Sequence, residues 1–157
     1  MERLGIREAS DIVEAMLEEA EKRGLKMAAA VVDSGGDLIH LARMAGASAL
    51  NARMSYNKAY TATKWQRDTK TLKERLFDLS LDDERRDIAW FGDPLYTPVW
   101  GGIVLRAPSG AMLGALGESG GTYQEDEEIG QMGKVVFQGR SSRCRRVVRL
   151  ALPLCQR

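Results

Sequence analysis

Residues 1–137 contain no cysteine; Cys144 and Cys155, the only two, both fall in the segment 138–157. A disulfide framework or a cysteine-based zinc site is thereby excluded from the body of the chain. Histidine is nearly as scarce, with His40 standing alone. A single histidine cannot build a structural zinc site, and a Ser-His-Asp triad would have to use it without any nucleophile-elbow sequence nearby. No run approaches the roughly 20 apolar residues that span a bilayer. The first residues read as a charged amphipathic helix and not as a signal peptide, so a cytoplasmic protein without a membrane segment is expected.

Acidic residues are missing from one end only. Gln138 to Arg157 holds six arginines and no Asp or Glu, and because the whole chain is +1, residues 1–137 carry a net −5. The abrupt change of composition marks 138–157 as a basic tail outside the expected domain, 1–137. An arginine tail invites a nucleic-acid reading. The acidic body, with no aromatic RNA-binding signature and no helix-turn-helix pattern, argues against such a partner.

What is present suits an ordinary globular core: 157 residues, 44% hydrophobic and 29% charged. Ser10 reads as an N-cap, Ile12, Val13, Met16, Leu17 and Ala20 form one apolar face, and Gly24 sits where a helix C′ residue belongs. Two apolar runs split by Asp33-Ser34-Gly35-Gly36 give a hairpin with strands near 26–33 and 37–43. Helical spacing resumes from Ser48 to Gln66 and continues after a break from Thr69 to Leu79. "DDERRD", residues 82–87, reads as a charged turn. "WFGDPLYTPVWGG" reads as an irregular loop. A second hairpin turns at Pro108-Ser109-Gly110, and a last helix starts after Gly121 and runs to about Phe137. Hairpin-joined strands with helices segregated from them make an α+β domain with an antiparallel sheet.

Four places carry possible chemistry. "GESGGTYQEDEE" sets glycines between a strand and a helix, as a phosphate cradle does. Thr122 and Glu125, however, form a capping box that uses the free N–H groups, and Asp126, Glu127 and Glu128 would repel an anion. The stretch therefore reads as a tight turn into a capped helix, whose glycines still admit a flat or uncharged ligand. His40, on the second strand with Leu38 and Ala42, is either a lone axial haem ligand or a hydrogen-bonded strand histidine.

"NKAYTATKW" sets Asn57, Tyr60 and Thr61 on one helical face with Lys58 beside them. Lys58 is either a desolvated lysine with a lowered pKa, fit to act as a base, or a solvated one. Trp90, Phe91, Tyr96 and Trp100 either wall a ligand pocket or pin a long loop onto the sheet. Arg43 and Asp33 on facing strands are expected to form a cross-strand ion pair.

Three stretches taken together resemble a known family: "AAAVVDSGGDLIHLARMAGA", "NKAYTA" and "GGIVLRAPSGAMLGALGESGGTYQEDEEI". In that order and spacing they are similar to the GlcG/HbpS-like haem-binding proteins and to the C-terminal domain of PduO-type proteins, over residues of about 8 to 137. The resemblance implies an antiparallel five-stranded sheet with helices packed against it, profilin- or PAS-like, an oligomeric assembly, and haem as the possible ligand. It places Lys58, Tyr60 and Thr61 in the family's helix motif and Gly101 and Gly102 in its glycine run. Ser119, Gly120, Gly121 and Asp126 stand in its closing turn. The chain departs from the family pattern at Ala45, where Asp is usual, at His40, where a small or apolar residue is usual, and in the loop "FGDPLYTPVW".

Three functions follow as expectations. The first is a homo-oligomeric haem- or tetrapyrrole-binding protein, with a pocket between the helix at Asn57 to Thr61 and the loop at Trp90 to Trp100. Lys58 or Arg43 would meet a carboxylate there, and His40, Tyr60 or a methionine would meet the iron. The second is an enzyme or accessory factor for small hydroxy acids or diols, with Lys58 and Asp93 as acid and base. The third is a ligand-free oligomeric subunit with Trp90 and Trp100 buried between copies.

Overall fold

Two hairpins carry the sheet, as their turn residues require. The computed structural model describes residues 4–77 and 88–151, with the side chains of 89, 90 and 140–151 outside the description. The charged turn expected at 82–87 and the side chain of Trp90 therefore lie outside the described residues. In chain order the elements are α1 (Ile6–Lys22), β1 (Ala28–Asp33), β2 (Leu38–Arg43), α2 (Ala49–Trp65) and α3 (Thr69–Leu76). A short 3-10 turn (Ile88–Phe91), β3 (Gly102–Arg106), β4 (Met112–Ser119) and α4 (Tyr123–Ala151) follow.

The strands pair antiparallel in the order β2-β1-β4-β3. Among the described residues the sheet has four strands, not the expected five. The long loop before β3 does not supply a fifth: Pro94 and Pro98 lack the N–H that a ladder needs, and the loop hydrogen-bonds to helix side chains instead. Helix α4 runs to Ala151, past its expected end near Phe137.

The sheet lies between two helical layers. On one face α1 and α4 pack together over Ala29, Val31, Ile103, Leu105 and Leu116, closed by Ile12, Met16 and Ile129. On the other, α2 lies over Val32, Val104 and Ala115 through Ala59 and Ala62. The period of two in β1 and β4 sends alternate residues to the two layers. Full burial of Ile12, Met16, Ile103 and Leu116 stabilises the fold by about 1.5–3 kcal/mol each.

Helix α2 approaches the sheet closely because Gly102 and Gly117 stand opposite each other on β3 and β4. A Cβ on Gly102 would run into the Lys58 carbonyl, and one on Gly117 into the Ser55 carbonyl. The pair is a floor for the helix backbone.

Two local expectations are corrected. Helix α1 begins at Ile6, with Gly5 as N-cap, so Ser10 lies one turn inside; Glu8 reaches back to the Gly5 N–H at 3.1 Å. Asp33 and Arg43 form no cross-strand pair, since the register sets Arg43 opposite Ala28 at the far end of the hairpin. Asp33 instead accepts from the turn N–H groups of Gly35 (2.8 Å) and Asp37 (3.0 Å), an Asx-type closure of the turn. Arg43 donates to the Ala47 carbonyl.

Candidate functional site

Helix α2 carries polar residues toward three different neighbours. Ser48 caps it, accepting from Asn51 N–H at 3.1 Å, and Gln66 ends it in the left-handed region at φ +58. Between those ends Ser55, Asn57, Lys58, Thr61 and Thr63 are all buried, which only a satisfied polar network or a binding site explains.

Lys58 is 1% exposed, and its Nζ donates to the Glu118 carbonyl at 2.7 Å and to the Asp126 carboxylate. A residue of the α2 layer thereby reaches α4 past the end of the sheet. Asp126 is held from its other side by the Gly121 N–H at 3.0 Å. Burial pushes the Asp126 carboxyl upward, while the Lys58 ammonium and the Gly121 N–H oppose that shift.

Glu118, fully buried beside this pair, has no side-chain donor on either carboxylate oxygen. Among the described residues, the Gly130 N–H is the one hydrogen-bonding group that leans on it. Desolvation lifts its carboxyl well above the ordinary range, and the nearby Lys58 charge offsets part of that. Glycine makes its berth: a Cβ at Gly101 would lie 2.8 Å from Glu118 Oε1, and one at Gly130 2.6 Å. Gly101 also holds φ +104, a conformation side chains resist. The sequence reading missed Glu118; its place two residues after buried Leu116 on the same strand face was the available signal.

The closing turn behaves as its charges require. Thr122 N–H donates to Glu125 at 2.8 Å, Glu125 N–H donates back to Thr122 Oγ1 at 3.3 Å, and Gly121 N–H is taken by Asp126. These donors are partnered within the chain. Ser119 and Gly120 continue β4 into this turn, with the Cβ position of Gly120 against Lys26 and Met27.

The aromatic loop is pinned to the other side of α2. Tyr60 donates to Asp93 at 2.8 Å, and Asp93 also accepts from the Leu95 N–H at 2.9 Å. Thr61 Oγ1 accepts from the Thr97 N–H at 2.9 Å. Tyr96 meets Tyr60 edge-on at 6.4 Å and stacks on Phe91 at 4.8 Å. The bond to Asp93, reinforced by burial, pushes the Tyr60 phenol up to about 12. Trp100 lies beneath Lys70, 4.5 Å from its ring centre, with its indole Nε1 buried and without a partner among the described residues.

Lys58 and Asp93 are thus not brought together. Each is engaged by a different partner, and Lys58 is the only one of the two that is buried. Asn57 is buried near Lys58 in the helix, its Oδ1 without a partner among the described residues, and Arg43 lies exposed at the sheet edge, apart from this group.

His40 lies elsewhere, on edge strand β2, in a groove of about 670 Å³ between that strand and α1. Val13, Leu17 and Ala42 give the groove apolar walls, and Met44 shares it with His40. Among the described residues none hydrogen-bonds the imidazole, whereas the Met44 sulfur accepts from the Met27 N–H at 3.4 Å. Among the described residues the rim carries Glu14, Glu18, Glu21 and one cation, Lys26. No described group of His, Cys, Asp and Glu is arranged to hold a bare metal ion, and no described helix is long and apolar enough to cross a membrane.

Comparison with known proteins agrees with this architecture. Protein GlcG of Escherichia coli K12 is 34% identical over 111 residues, covering 71% of this chain and 77% of GlcG. The crystal structure of a double mutant of Streptomyces reticuli HbpS superposes with a TM-score of 0.75 at 27% identity, covering 87% of this chain and 88% of that one. A PduOC:haem complex superposes with a TM-score of 0.76 over 86% of this chain and 95% of that one, and at 21% identity shows a shared fold alone. Residues 4–134 match the family described as "Haem degrading protein HbpS-like", and the chain belongs to that family.

Proposed function

We propose that the protein binds a haem-type tetrapyrrole in the groove between α1 and β2, with His40 as the protein ligand to the iron. The observation that carries this reading is the placement of the only histidine, without a hydrogen bond among the described residues, in an apolar-walled groove. The donor set fits the group: imidazole and thioether are both side chains that hold haem iron, and His40 and Met44 line the same groove. Membership of a family described by haem degradation, and a fold shared with a PduOC:haem complex, support it further.

The chain's own residues would divide the work. Val13, Leu17 and Ala42 would cover the flat apolar face, and the hydrophobic effect would supply most of the affinity. Among the described residues of the rim, Lys26 is the cation able to meet a propionate, away from the glutamates, which would repel it. When bound, the haem would supply an iron centre whose reactivity is set by its axial ligand and the polarity of the site. Tyr60, an axial candidate of the sequence beside His40 and a methionine, is committed to Asp93. Lys58, committed to Asp126, is the less available cation for a propionate.

The location is tested by titrating haemin into the wild type and a Leu17→Asp variant and following the Soret band. A saturable band with clearly weaker binding in the variant is expected. Equal affinity in the two proteins would move the site off this groove.

A further inference from the structure

A second concavity, of about 890 Å³, opens at the opposite edge of the sheet, where β3 and not β2 is outermost. It lies between Gln66 to Thr71, the end of β3 with the turn that follows, and Lys134 and Phe137 on α4. None of its lining residues belongs to the groove around His40.

Its charges are unbalanced. Among the described residues, Arg67, Arg106 and Lys134 line it against one carboxylate, Asp68. That carboxylate is already spent on structure. Asp68 Oδ1 accepts from the Val104 N–H at 2.9 Å, and Oδ2 from Gln131 at 3.4 Å, with Lys134 Nζ at 3.9 Å. Arg106 is held by two neutral acceptors, the carbonyls of Gln66 (2.7 Å) and Gly110 (3.1 Å), which fix its orientation without neutralising it. Gln66 offers its carbonyl from a left-handed conformation at φ +58, unusual for a residue other than glycine and of a kind that collects at binding sites. Arg67, exposed, rests over the Trp65 ring at 5.9 Å.

Beside the cations stand Val104, Ala107 and Phe137, each less than a tenth exposed. Three cations beside an apolar wall suit a ligand that is itself divided. Guanidinium forks pair with planar carboxylates, and a concavity of this size takes a small organic molecule. A bare phosphate, compact and strongly hydrated, would gain nothing from the apolar side.

We propose that this concavity is a binding site for an amphiphilic carboxylate, its anionic head among Arg67, Arg106 and Lys134 and its apolar body on Val104 and Phe137. The site is independent of the haem reading, because it shares no residue with that groove and needs no metal.

The test is calorimetric titration of the full chain with phenylacetate, with inorganic phosphate as the charge-only probe. Saturable binding of phenylacetate is expected, about tenfold weaker in Arg67→Gln, a substitution at an exposed side chain that leaves the fold's hydrogen bonds in place. Lys134→Gln serves as a second variant with the same expected direction. Three outcomes would overturn the proposal: no saturable phenylacetate binding, affinity unchanged in both variants, or phosphate bound as tightly as phenylacetate. Loss of haemin binding in either variant is not expected, so failure of one site is distinguishable from failure of the other.

Discussion

Lys58 on α2 and Asp126 on α4 form a buried ion pair that ties together the helical layers on opposite faces of the sheet. Both side chains are nearly without solvent contact, at 1% and 4% exposure. A pair in such a place adds little over an apolar substitute, but breaking it leaves one charge stranded.

Lys58→Met is therefore expected to destabilise the protein by about 3–5 kcal/mol, since Asp126 and the Glu118 carbonyl lose their ammonium together. Urea unfolding followed by circular dichroism measures it. A loss under about 1 kcal/mol would mean that the pair is solvated in solution and that Lys58 is open to ligands.

Glu118 makes stability depend on pH with a definite sign. Its folded-state carboxyl titrates well above the unfolded value, so its contribution is full below the unfolded pKa of about 4.3 and is lost as pH rises through the folded value. The facing ionisable groups are Lys58 from α2 and Asp126 and Glu127 from α4. Glu118→Gln, isosteric and uncharged, is expected to raise the melting temperature at pH 8 and to leave it nearly unchanged at pH 4, below the unfolded value. A variant that melts lower at both pH values would show that the ionised carboxylate is what the fold uses.

Much of the architecture was legible because it is written locally. Asp33-Ser34-Gly35-Gly36 and Pro108-Ser109-Gly110 announce their hairpins, and Thr122 with Glu125 announces the start of α4. Relations across long sequence distances were not legible. Lys58 and Asp126 are 68 residues apart, and nothing in "NKAYTA" says which carboxylate will meet the lysine. The expected Asp33–Arg43 pair failed for a related reason. Facing strands do not bring two charges together unless the register does, and this register sends Asp33 to the turn and Arg43 to the opposite end. Ser10 misled because its residue type suits an N-cap, whereas Glu8 had already closed the helix start at Gly5.

The loop at Phe91 to Trp100 is held to α2 by the Tyr60–Asp93 bond, and that bond has a spectroscopic signature. Tyr60 is expected to ionise near pH 12, and its share of stability is lost as pH rises from the ordinary phenol value of about 10 through 12. Asp93→Asn removes the charge that holds the phenol protonated, so the late step in an ultraviolet tyrosinate titration should move down. A titration curve unchanged by the substitution would show that Asp93 does not hold Tyr60 in solution.

The central claim is that His40 ligates a haem iron, and it is tested most directly by titrating haemin into the wild type and His40→Ala and comparing Soret spectra. The account predicts a saturable, shifted band in the wild type and its loss, or conversion to the spectrum of loosely associated haemin, in the variant. The same shifted band with the same affinity in His40→Ala would contradict it.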